Sequence, residues 1–152
     1  MDNIIKYDVG SNAIKHLLTV SNTIELSYVY LQSKTTNDDI KSWIEDHLSY
    51  TLSFKQQSIS ILKTLNSTQK ELSNSAIKLK YSFLKVKSLF YKIEDDVIIN
   101  ECLKLNAYFL NELNKEMKSG ILSKSSYNLL NTLKNNLLTT KQDFYFSRLR
   151  VS

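Results

Sequence analysis

The chain has 152 residues, a formal net charge of +5, no proline, and glycine only at Gly10 and Gly120. That length suits a single domain with a moderate core. A β-sandwich or doubly wound sheet would need far more turn residues than two glycines supply, so long helices with few interruptions are predicted. The one cysteine, Cys102, excludes an internal disulfide and points to a reducing compartment. No apolar run is long enough to span a bilayer, and Met1-Asp2-Asn3-Ile4-Ile5-Lys6 lacks the basic and apolar regions of a secretory signal. A cytoplasmic chain is expected.

The first predicted helix runs from about Ser11 to Leu31, with Ile14, Leu17, Leu18, Ile24, Tyr28 and Leu31 at helical spacing and Ser11 as its N-cap. Its apolar face reads first as a core face; an interfacial lipid-binding helix is the alternative. Residues 1–36 form this amphipathic helix and a linker, and residues 37–152 form a long-helix bundle, the whole being one domain. Ser33-Lys34-Thr35-Thr36-Asn37 is the polar linker. Thr36 or Asn37 can cap the next helix, with Asp38 and Asp39 at the positive end of its dipole.

The second helix is expected from about residue 39 to 92, with a kink near 53–58. Its first half carries the stripe Ile40, Ile44, Leu48, Leu52 and Ile59. From Leu62, alternating steps of three and four give Leu65, Gln69, Leu72, Ala76, Leu79, Phe83, Val86, Phe90 and Ile93. That is a coiled-coil-like seam with Gln69 as its one polar break, and it needs a partner along its length. Glu94-Asp95-Asp96 then ends one helix and starts another, with Asp95 or Asp96 as N-cap. A third helix over about 97–118 carries Ile99, Leu103, Ala107, Leu110, Leu113 and Met117. A break or bend is expected at Ser119-Gly120, and a last helix over about 124–150 presents Leu129, Leu130, Leu133, Leu137, Leu138, Phe144 and Val151. The fold class is all-α, with long antiparallel helices in a coiled-coil-like or BAR-like bundle.

No set of residues converges on catalysis. His16 and His47 fall in different segments without a Cys or acid at metal-ligand spacing, and read as ordinary helix-surface or partly buried histidines. Glu101 beside Cys102, with Asp95 and Asp96 one to two turns away, raises a thiol pKa, so Cys102 reads as a small buried apolar residue. Two glycines do not make a phosphate-binding loop. Neither enzyme activity nor a metal or cofactor is expected.

Charge is segregated along the chain. Residues 1–46 hold four basic and seven acidic side chains, whereas residues 47–93 hold eight Lys against the single acid Glu71. Lys78, Lys85 and Lys92 recur every seven residues on one flank of the seam. Lys80 and Lys87 lie on the other, and Lys63 and Lys70 extend the charge toward the N-terminal part of the helix. Such ridges are either a solvated face or an attachment to an anionic membrane, at about 1 kcal/mol per Lys. With only Arg148 and Arg150 available for base readout, nucleic acid is the weaker partner class.

Asp38-Asp39 followed by Trp43-Ile44-Glu45-Asp46 resembles the opening of the helical domain of sorting nexins of the BAR class. Lys70-Glu71-Leu72, the turn at Glu94-Asp95-Asp96, and Asp143-Phe144 with Arg148-Leu149-Arg150 are similar to later points of that domain. Ile44 stands where the family has an aromatic residue. The resemblance implies a homo- or heterodimer with a helical protein, its Lys-rich faces on curved, anionic endosomal membrane. The leading expectation is therefore a non-enzymatic scaffold in endosomal trafficking. The seam Leu62, Leu65, Leu72, Leu79, Phe83, Val86, Phe90 and Ile93 would serve dimerisation, and the lysines membrane binding. The alternative is a compact helical adaptor, of the kind AT-rich viral genomes encode, that sequesters a protein partner.

Overall fold

Apolar side chains recurring every three to four residues, in a chain without proline, favour helix over any other backbone. The structure, a computed structural model, describes residues 11–64, 93–119 and 122–151, with side chains up to Lys118 in the third helix and Thr139 in the last. Its elements are α1 (Ser11–Lys34), α2 (Asp38–Thr64), α3 (Asp95–Ser119) and α4 (Lys124–Val151). The protein is all-α, with no strand among the described residues. Of the helix expected over 39–92, the described part is α2; residues 65–92, which hold most of the seam and the Lys ridges, lie outside the described residues.

Helix ends follow local chemistry. Asn37 caps α2: its Oδ1 accepts the backbone N–H of Asp39 at 2.9 Å and of Ile40 at 3.2 Å. At α3 the expected cap shifts by one residue. The Glu94 carbonyl accepts the N–H groups of Val97 (3.1 Å) and Ile98 (3.2 Å), so Glu94 holds the cap position and Asp95 is the first helical residue. The Asp95 carboxylate instead reaches the α1–α2 linker, where it accepts from Thr35 Oγ1 at 3.4 Å and Asn37 Nδ2 at 3.3 Å. Ser123 caps α4, its Oγ accepting the Ser126 N–H at 3.2 Å. Ser11 is the first described residue of α1 and is buried.

Helices α1 and α2 pack together, as do α2 with α4, α4 with α3, and α3 with α1, which gives the cyclic order α1–α2–α4–α3. Gln32 reaches Glu45, Tyr28 reaches His47 and Glu25 pairs with Lys55, so α1 and α2 are antiparallel. His16 with Glu112 and Tyr28 with the Cys102 carbonyl show the same for α1 and α3. Helices α2 and α3 are therefore parallel across the diagonal, both starting beside the Thr35–Asn37 linker. The end of α2 at Thr64 and the start of α3 at Asp95 therefore lie at opposite ends of the bundle.

The core is one cluster drawn from all four helices. Ile14, Leu17, Leu18, Ile24, Tyr28 and Leu31 are buried in it, so the face of α1 is a core face, as first read. Fully burying each such side chain contributes about 1.5–3 kcal/mol. In α2 the buried stripe differs from the expected one. Ile40 and Ile44 are buried and Leu48 is half-buried, but Leu52 and Ile59 are exposed, and Trp43, His47, Thr51, Phe54, Ser58 and Leu62 line the core instead. Steps of four residues advance about 40° beyond a full turn, so a stripe extended from Ile40 by fours drifts out of the core after three steps. The true stripe keeps to the 3.6-residue period by admitting polar residues. Thr51 is accommodated by donating to the His47 carbonyl at 2.8 Å.

Candidate functional site

A cluster of titratable side chains is buried where α1, α2 and α3 meet. Trp43 and His47, one turn apart on α2, stack with ring centroids 3.8 Å apart and planes inclined by 23°. Tyr28 of α1 meets Trp43 edge-on at 5.7 Å and lies 5.5 Å from the His47 ring, which Tyr50 flanks at 5.9 Å. The Tyr28 hydroxyl lies 3.5 Å from His47 Nδ1 and 3.5 Å from the Cys102 carbonyl oxygen, to which it donates. His47 Nε2 is buried without a hydrogen-bond partner.

Burial sets the protonation of this cluster. It lowers the His47 pKa from 6.5 to about 3, so the imidazole is neutral near pH 7. Burial first, and then the Glu101 carboxylate, push the Cys102 thiol up to about 12. Tyr28 is raised well above its ordinary value by burial, with a smaller contribution from Cys102. The raised thiol agrees in direction with the sequence reading, but the enclosure outweighs the acids that prompted it. All three groups are uncharged at neutral pH and enclosed by aromatic and aliphatic side chains. They pack α1, α2 and α3 against one another.

The two histidines, read alike from the sequence, differ in the fold. His47 is 1% exposed. His16 lies at the α1–α3 edge, its Nε2 2.9 Å from Glu112 Oε2. That hydrogen bond is the main reason the Glu112 carboxyl sits below its ordinary value; Lys115 adds to the effect, and burial opposes it. The Tyr28–Trp43–His47–Cys102 cluster was not legible in the sequence. The one available signal was the i, i+4 spacing of Trp43 and His47 on a stripe with Ile40 and Ile44. No group of three or more His, Cys, Asp or Glu that could hold a metal occurs among the described residues, and no described helix is long and apolar enough to cross a membrane.

Of the residues assigned to the dimer seam and the membrane-binding lysines, three fall within the described structure. Leu62 is buried in the core, Lys63 beside it is exposed, and Ile93 is half-buried against the core. Leu65, Leu72, Leu79, Phe83, Val86 and Phe90 of the seam lie outside the described residues, as do Lys70, Lys78, Lys80, Lys85, Lys87 and Lys92.

Among the described residues, eight large apolar side chains are exposed: Leu26, Val29, Leu52, Ile59, Val97, Tyr108, Tyr127 and Leu138. They are spread around the bundle: Val97 and Tyr108 share the Glu101–Glu112 flank of α3 that turns to α1, and the others lie on α1, α2 and α4. Val29 lies between Glu25 and Gln32 on the flank of α1 that faces α2, and Leu52 and Ile59 flank Lys55 on the opposing edge of α2. Charges of both signs punctuate this side. Helices α3 and α4 pack side by side. Helix α3 turns its Glu101–Glu112 flank to α1, so its opposite flank, with Leu103 and Ala107, faces α4. Asn106 Nδ2 donates to the Leu137 carbonyl at 3.5 Å and sets the register there. The cyclic order then places Tyr127, Lys134 and Leu138 of α4 on the α3 side. No family model, curated protein or solved structure matches this chain.

Proposed function

We propose that this chain is a non-enzymatic helical adaptor that acts by binding another protein. The observation that carries the reading is the division of labour among its side chains. His47, Cys102 and Tyr28 are enclosed and neutral, the exposed His16 is hydrogen-bonded to Glu112, and large aliphatic and aromatic side chains remain at the surface of the bundle. Side chains of that kind anchor protein partners, since aromatic and aliphatic groups contribute most of the affinity at such interfaces.

A second reading, the dimeric scaffold on anionic endosomal membrane, is favoured by the charge of residues 65–92, which hold six Lys against Glu71. The two readings differ in shape and in salt response. Light scattering and small-angle X-ray scattering on the full chain, with flotation on phosphatidylserine vesicles, separate them. The adaptor reading expects a compact particle of monomer mass and no salt-sensitive flotation. An elongated dimer that floats with anionic vesicles, and stops doing so when Lys78, Lys85 and Lys92 are replaced by Glu, would overturn it in favour of the membrane scaffold.

A further inference from the structure

We draw no further inference here: the strongest candidate, the exposed apolar patch of Val29, Leu52 and Ile59 along the α1–α2 edge, has nothing in the structure that shows what covers it.

Discussion

Acidification should destabilise this protein through His47. The folded state holds the imidazole neutral with a pKa of about 3, because its enclosure between Trp43, Tyr28 and Tyr50 excludes the water that would solvate a cation. In the unfolded chain the same ring takes up a proton near its ordinary pKa of about 6.5. Because the folded pKa is depressed, stability is fully present above about pH 6.5 and is lost as the pH falls from there toward 3. Within that window the unfolded chain binds nearly one proton more than the folded chain, so the loss approaches about 1.4 kcal/mol per pH unit. Integrated to pH 5, it amounts to roughly 2 kcal/mol, a substantial part of the ~5–15 kcal/mol that holds a domain folded. Glu112, whose folded pKa is also lowered, contributes its loss only below its ordinary value of 4.5, so the interval from neutrality to pH 5 isolates the histidine effect. The assay is urea denaturation followed by circular dichroism at neutral pH, near pH 6 and near pH 5, on the native chain and on His47→Phe. Phenylalanine keeps a ring against Trp43 and has no proton to gain, so the variant should lose about 2 kcal/mol less over that interval. At neutral pH the variant should lie within about 1 kcal/mol of the native chain, since it also removes the unpartnered Nε2. Equal pH slopes in the two proteins, or a folded-state His47 resonance that titrates near pH 6.5, would refute the reasoning.

Asn37→Ala removes the cap of α2 and one of the two hydrogen bonds that tie the linker to Asp95. It should cost about 1–2 kcal/mol in thermal or urea unfolding, and Asn37→Asp should restore the cap while placing a second carboxylate beside Asp95. Cys102 is fully buried with its thiol pushed up to about 12, so the native protein should resist a thiol-specific reagent at mildly alkaline pH and react fully once unfolded in urea. Rapid reaction of the folded chain would show that the α1–α2–α3 junction opens.

The architecture was legible wherever a local rule decides it. Spacing located α1 and α4 to within a few residues, and Asn37 capped α2 through the short polar side chain that marked it in the linker. The acidic turn at residues 94–96 marked the start of α3 but misassigned its cap, because the Glu94 backbone carbonyl holds that place while Asp95 is drawn to Thr35 and Asn37. The buried polar residues were not legible. Thr51, Ser58, His47 and Asn106 look like surface residues in any one-dimensional count, and they are buried because helices from distant parts of the chain enclose them.

The chain by itself determined that it would be helical and where the described helices begin, since apolar period, missing prolines and capping residues act over a few residues and need no partner. Tertiary packing decided which face of α2 turned inward, exposing Leu52 and Ile59 while enclosing His47 and Ser58. A stripe stays in the core only at the true helical period, and the neighbouring helices select the phase that buries the largest rings, Trp43, Phe54 and Tyr28, even when small polar groups must be buried with them.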